Sequence, residues 1–244
     1  MKTNLKQRKV KIIAEVHPQF MGSMNELERM IIQCKANGAD YIKVQLYNSK
    51  KLFNNNDRDF LEITKKEFFQ IANYSQKIGI KLFASIFDEE KINWCEDAGV
   101  DIYKIASRTI NDDIKLCEKI IDLNKKVIMS LGMYDFKNKP VPFSNDNIIY
   151  LYCVSKYPTQ LTDIDMPDFD NSFFSGFSDH TIGISAALYA VSKGAEYIEK
   201  HYSNNSSMNV VTQQAHTCSM NEKELSLLRN LADSITLLRS NYNE

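Results

Sequence analysis

Four times the chain passes from an amphipathic stretch, through a glycine, into a short apolar run. The phrases are Asn37-Gly38-Ala39-Asp40-Tyr41, Ile78-Gly79-Ile80-Lys81-Leu82, Ala98-Gly99-Val100-Asp101-Ile102 and Lys193-Gly194-Ala195-Glu196-Tyr197. A glycine so placed closes a helix in the left-handed conformation and releases the chain into a strand. The chain has eight glycines, so half of them serve this one return, and helix-to-strand alternation becomes its organising theme. Reading outward from these marks, strands are expected over 9–16, 41–47, 81–87, 102–107, 126–132, 148–155, 173–179 and 197–203. Helices are expected over 24–37, 64–78, 89–98, 112–124, 183–193 and 221–240. The strands are short and almost continuously apolar, which suits a parallel sheet covered on both faces.

Eight such strands in 244 residues predict one α/β domain over 1–244, a (β/α)8 TIM barrel. An open doubly wound sheet is the main alternative, but no glycine-rich phosphate loop follows the first strand. Two stretches interrupt the alternation. Segment 133–147 carries Pro140 and Pro142 and no helical period, so the helix after strand five is expected to be missing. Segment 156–171 is irregular, with at most a short turn. A barrel lacking an outer helix exposes part of its wall, so a partner subunit is expected to cover that face, as in a homodimer.

Charge narrows the partners. The chain carries 30 basic and 31 acidic side chains, with no basic stripe, so neither nucleic acid nor an anionic membrane surface is expected. No apolar stretch approaches the roughly 18–20 residues of a membrane span. The opening Met1-Lys2-Thr3-Asn4-Leu5-Lys6 lacks the apolar core of a signal peptide. The five cysteines (Cys34, Cys95, Cys117, Cys153, Cys218) form no CxxC pair and read as reduced thiols of a cytoplasmic protein.

In such barrels the chemistry gathers at the C-terminal strand ends. All four histidines fall there: His17 after strand one, His180 after strand seven, His201 in strand eight and His216 in the loop beyond. His180 and His201, on adjacent strand ends, are the favoured pair of metal ligands, suited to an ion that keeps open positions for water and substrate. Glu15 closes strand one, and Glu199 shares a strand face with His201. Lys43 and Gln45 share a face of strand two, and Lys104 lies inside strand four. A lysine within an apolar strand needs an anion or a route to solvent. With Ser107, Ser130, Ser155 and Ser178 at neighbouring strand ends, the set forms a cradle for a small, densely anionic substrate.

These residues belong to eight ordered motifs: Ala14-Glu15, Tyr41-Ile42-Lys43-Val44-Gln45, Phe83-Ala84-Ser85-Ile86-Phe87-Asp88, Tyr103-Lys104-Ile105-Ala106-Ser107, Ser130-Leu131-Gly132-Met133, Cys153-Val154-Ser155-Lys156-Tyr157-Pro158, Phe177-Ser178-Asp179-His180-Thr181-Ile182-Gly183 and Ile198-Glu199-Lys200-His201-Tyr202. In this order, over residues 9–235, the chain resembles the sialic acid (N-acetylneuraminate) synthase family. The resemblance implies a (β/α)8 barrel that condenses phosphoenolpyruvate with an N-acylated sugar such as N-acetylmannosamine, releasing phosphate. It implies a divalent metal, Mn2+ or Mg2+, on His180 and His201. It assigns Lys43, Lys104, Ser107, Ser130, Ser155 and Ser178 to phosphoenolpyruvate. Gln45, Tyr157 and Glu199 fall near the sugar or the attacking water, and Glu15 orients the reacting groups; Glu15, Glu199 and Lys43 are the catalytic set.

Departures from that family lie on the sugar side. After Glu15 the family typically reads Ile-Gly-x-Asn-His-x-Gly; this chain reads Val16-His17-Pro18-Gln19-Phe20-Met21-Gly22, with Phe20 in the histidine's place. An aromatic ring cannot supply the histidine's polar contacts. Near the end, Ala215 replaces an aspartate that contacts the acceptor, and His216, Gln213 and Gln214 are the candidate substitutes. The sequence stops after the eighth helix, so the family's antifreeze-like C-terminal domain is expected to be absent. The expected function is therefore a phosphoenolpyruvate-dependent synthase with an altered acceptor. Two other readings stay open: a related barrel aldolase or phosphosugar synthase, and a weakly active homologue serving as partner in glycan biosynthesis.

Overall fold

The structure, a computed structural model, describes residues 10–205 and 215–242. Eight parallel strands close into a barrel in sequence order: β1 Lys11–Glu15, β2 Tyr41–Leu46, β3 Lys81–Ile86, β4 Ile102–Ile105, β5 Lys126–Ser130, β6 Ile148–Cys153, β7 Phe174–Asp179 and β8 Tyr197–His201. The closing ladder pairs Glu15 of β1 with His201 of β8. Around it run α1 Met24–Ala36, α2 Ser49–Phe53, α3 Lys65–Ile78, α4 Glu89–Asp97, α5 Thr109–Asp112, α6 Ile114–Asp122, α7 Ser185–Ser192 and α8 Glu222–Tyr242. The expected barrel is thus the observed one, and no helix among the described residues is long and apolar enough to cross a membrane.

The outer helices follow from pattern and caps. In α1, Leu27, Met30, Ile31 and Cys34 are buried at helical spacing, and the Ser23 side chain accepts from the Glu26 amide to start the helix. Burying each such side chain contributes about 1.5–3 kcal/mol, so the apolar stripe outweighs what the cap adds. In α3, Thr64 and Glu67 form a reciprocal capping box, and Gly79 ends the helix at φ 73°. The other three return glycines also have positive φ.

Two differences from the expected elements concern the top of the barrel. The short helices α2 and α5 lie in loops with no readable helical period. Several strands end earlier than their apolar runs: β4 stops at Ile105 rather than 107, and β6 at Cys153 rather than 155. Beyond the last ladder pair, Ser107 and Ser155 turn into loops, which frees their side chains for the mouth.

No helix follows β5, as expected, and two 3₁₀ turns, Leu161–Asp163 and Phe169–Asn171, are the only helical structure described between β6 and β7. The loop over 133–147 takes the helix's place. Phe136 packs against Phe174 (ring centroids 5.1 Å) and Tyr152 (6.2 Å), while the Tyr150 hydroxyl donates to the Phe143 carbonyl at 2.6 Å. An aromatic cluster from the chain itself therefore packs against this wall, while Phe173 at its edge stays exposed.

Candidate active site

Strand alternation sends one polar side chain after another into the upper barrel: Glu15 from β1, Lys43 from β2, Lys104 from β4, Ser130 from β5, Ser178 from β7 and Glu199 from β8. They floor a cavity of about 350 Å³ open at the C-terminal strand ends. All six are at most 5% exposed.

Lys43 sits between two carboxylates, 2.9 Å from Glu15 and 2.8 Å from Glu199. The Glu15 carboxylate also accepts from the Gln45 amide at 3.3 Å and the His17 backbone N–H at 2.9 Å. Ser178 donates to Glu199 Oε1 at 2.9 Å, while Glu199 Oε2 is buried with no hydrogen-bond partner. Lys104 has no carboxylate within salt-bridge reach among the described residues; its ammonium donates to Ser130 Oγ at 2.8 Å and the Ile105 carbonyl at 3.1 Å.

This unequal sharing sets the protonation states. Burial would raise Glu199, but Lys104 and Lys43 overcome it and hold the carboxyl at about 2. Burial raises Glu15 in spite of Lys43. Burial works against the Lys43 charge, yet Glu15 and Glu199 raise its pKa. Lys104, with weaker compensation, is lowered by burial to about 8.

His180 and His201 approach with ring centroids 5.8 Å apart. The His180 Nδ1–H donates to the Val154 carbonyl at 3.0 Å. The Gln19 side-chain amide meets His201 Nδ1 with its nitrogen at 3.0 Å and its oxygen at 3.2 Å; with the oxygen turned as acceptor, Nδ1 carries the proton. Both Nε2 lone pairs are then left for a ligand, the arrangement usual for metal-binding histidines oriented by outer hydrogen bonds. The pair therefore fits a divalent ion with several open positions. Among the described residues no group of three or more His, Cys, Asp or Glu is set to hold one.

The remaining expected residues divide. Gln45, Ser107, Ser155 and Tyr157 line the cavity, and the Tyr157 ring lies against His180 with centroids 4.1 Å apart. His216 is not among the lining residues: it is buried, hydrogen-bonded to the Gln19 backbone. Gln213 and Gln214 lie outside the described residues. Lys200 faces away from the mouth into a sealed ion pair with Asp179 at 3.0 Å.

The sugar-side departures acquire local reasons. Gln19 holds His201, and Phe20 packs in the wall against His17 (centroids 5.1 Å) rather than lining the cavity. His17 itself does line it, with Nε2 3.2 Å from the Tyr47 hydroxyl. Burial, then the charges of Arg58 and Lys43, lower His17 to about 3, so its ring is neutral. Two charged lining residues escape the sequence reading, Arg58 and Arg108. Their loops carry no motif, and only their position after strands two and four marks them.

Comparison with known proteins agrees with this architecture. A crystal structure of N-acetylneuraminic acid (sialic acid) synthetase from Leptospira borgpetersenii, in complex with citrate, superposes with a TM-score of 0.84 at 34% identity, over 96% of this chain and 86% of that one. N,N'-diacetyllegionaminic acid synthase of Campylobacter jejuni is 27% identical over 91% of this chain and 75% of its own length. Pseudaminic acid synthase of the same organism is 30% identical over 80% of this chain. The chain spans 65% of that relative's length. The NeuB family model matches residues 30–242, which takes in β2 to β8 and both histidines, and the chain belongs to the NeuB family.

Proposed function

We propose that the chain condenses phosphoenolpyruvate with an N-acylated sugar aldehyde, giving a sialic-acid-like 3-deoxy-2-ulosonic acid and free phosphate. The observation that carries this reading is Lys104, a buried cation without a carboxylate, beside Ser107, Ser130 and Ser178 at the mouth of a barrel of this family. Phosphoenolpyruvate brings about three negative charges, and charged donors in a desolvated site offset them more strongly than in water. The sialic, legionaminic and pseudaminic names of similar proteins support a sugar-acid synthase and leave the acceptor open.

In this reading Lys104, Ser107, Ser130, Ser155 and Ser178 hold the phosphate and carboxylate, with Lys43 bridging toward Glu15 and Glu199. The enol π electrons form a bond from C3 to the aldehyde carbon, whose oxygen takes a proton. Water then adds to C2 and gives up a proton that replaces the one taken by the aldehyde oxygen. Cleavage of the bond from C2 to the phosphate ester oxygen expels phosphate, which takes the remaining proton as the C2 hydroxyl becomes the ketone. Glu199 Oε2, buried and unshared, accepts a hydrogen bond from that water. Glu15, raised by burial, is the better proton carrier of the two acids. A divalent ion on His180 and His201, manganese or magnesium, would polarise the aldehyde. Gln45 and Tyr157 flank the acceptor.

Phosphate release from phosphoenolpyruvate with manganese, measured across N-acylated hexosamines, neutral sugars and aldose phosphates, tests the proposal. Release with acylated sugars is expected. Release only with non-acylated aldose phosphates would point instead to a related phosphosugar synthase. Silence across the panel, with no phosphoenolpyruvate binding by calorimetry, would overturn the reading.

A further inference from the structure

The reaction above uses the floor of the cavity and leaves two cations at its rim without a task. Arg58, in the loop after α2, and Arg108, immediately after Ser107, both line the cavity and are half-buried. They share one aromatic platform: the Arg58 guanidinium lies 4.4 Å and that of Arg108 5.7 Å from the centroid of the Phe53 ring. Stacking on an aromatic face holds a guanidinium without using its hydrogen-bond donors.

Those donors are largely unspent. Arg58 has no carboxylate within salt-bridge reach among the described residues. Its loop is held by other contacts, its backbone N–H donating to Ser49 Oγ at 3.3 Å and the Ser49 N–H to the Glu62 carboxylate. Arg108 engages Asp112 through Nε alone, at 2.7 Å, which leaves the outer edge of its fork open. The floor needs neither arginine, because Lys43 is already matched by Glu15 and Glu199. Arg58 also stands toward the β1–β2 side. Phe53 touches Tyr47 (centroids 5.5 Å), Tyr47 touches His17 (5.3 Å), and the Arg58 charge helps to keep His17 neutral. Arg108 instead follows β4, the strand that carries Lys104, so the pair spans the rim between the loops after β2 and β4.

We propose that Arg58 and Arg108 form a second anion subsite, which takes a phosphate group at the end of the acceptor remote from its aldehyde. Two guanidinium forks match the charge and the several oxygens of a phosphate monoester better than those of one carboxylate. The proposal rests on the synthase reading for the aldehyde at the other end, and the test separates the two.

Calorimetric binding of an N-acetylhexosamine 6-phosphate, the unphosphorylated sugar and the corresponding uronic acid to the intact chain with manganese is measured beside phosphate release. The phosphorylated sugar is expected to bind at least tenfold more tightly than the neutral one. Arg58→Gln and Arg108→Gln should each remove most of that difference and move phosphoenolpyruvate binding less than twofold. Arg29→Gln, the same charge change on exposed α1, should leave the preference intact. Equal binding of phosphorylated and neutral sugars overturns the subsite. So does a tighter uronic acid, or a loss in Arg58→Gln shared equally by phosphoenolpyruvate. If release is silent while Arg58-dependent binding of the phosphorylated sugar persists, the synthase reading fails and the subsite stands.

Discussion

Lys104 and Lys43 are both buried lysines in one cavity, yet their surroundings drive them apart. Lys43 has two carboxylates within 2.9 Å and stays charged, whereas Lys104 has only neutral acceptors and falls to about 8. Binding of an anionic substrate needs the Lys104 cation, so kcat/KM for phosphoenolpyruvate is expected to fall as pH rises through about 8. Stability should move the other way. Between that value and the ordinary lysine range the unfolded chain holds more protons, so the Lys104 contribution to stability rises with pH. Melting curves at pH 7 and 9 that show no collapse, beside the falling rate, would separate the two; a flat rate profile up to pH 10 would contradict the role. A second expectation concerns the histidines: His180→Ala or His201→Ala should lose metal in equilibrium dialysis, and full retention by both would refute the pair. The floor of the site is legible in the sequence because each of its residues is a polar interruption in an apolar strand. Arg58 and Arg108 are not, because their meeting on Phe53 depends on the proximity of two loops that share no pattern.

At the scale of elements, the glycine returns mark where helices end, whereas strand ends are blurred, because apolar runs continue past the last ladder pair into the buried mouth. Short helices such as α2 fare worse, since five residues hold too little period to read. Gly176 shows what pairing demands in return. It stands opposite Tyr197 between β7 and β8, the strands that lead to the two histidines, and an added Cβ would lie 2.2 Å from the Tyr197 carbonyl oxygen. Backbone cannot yield there as a flexible side chain would. Gly176→Ala is therefore expected to cost about 2 kcal/mol. For a chain of this size that lowers the melting temperature by ~4–8 °C. The variant should also weaken metal retention, since moving β7 against β8 separates His180 from His201. An unchanged melt together with unchanged metal binding would show that the two strands are not held this closely.

The whole barrel depends on joining the two ends of the chain, since β1 pairs with β8 and α8 packs against α1 as well as α7. Ladder hydrogen bonds alone leave this seam without specificity, because every parallel strand offers the same groups. Arg229 of α8 supplies it. The guanidinium donates to the Val10 carbonyl at 2.8 Å, pairs with Asp40 at 3.2 Å and also binds Asp233 on its own helix. Asp40 in turn accepts from the Ile12 N–H at 2.9 Å, so one side chain joins the last helix, the entrance of β1 and the turn before β2. Its side chain is 7% exposed, and truncation would strand a carboxylate and a carbonyl beside a cavity. Arg229→Ala is expected to destabilise the chain by about 3 kcal/mol, within the range for breaking a buried charge pair. Removing Lys65, whose pair with Asp97 is more than half exposed on both sides, should change stability by less than ~1 kcal/mol. Urea unfolding of the two variants under one set of conditions decides the matter. Equal midpoints would mean that the seam is held by strand pairing and apolar contacts without the Arg229 clamp.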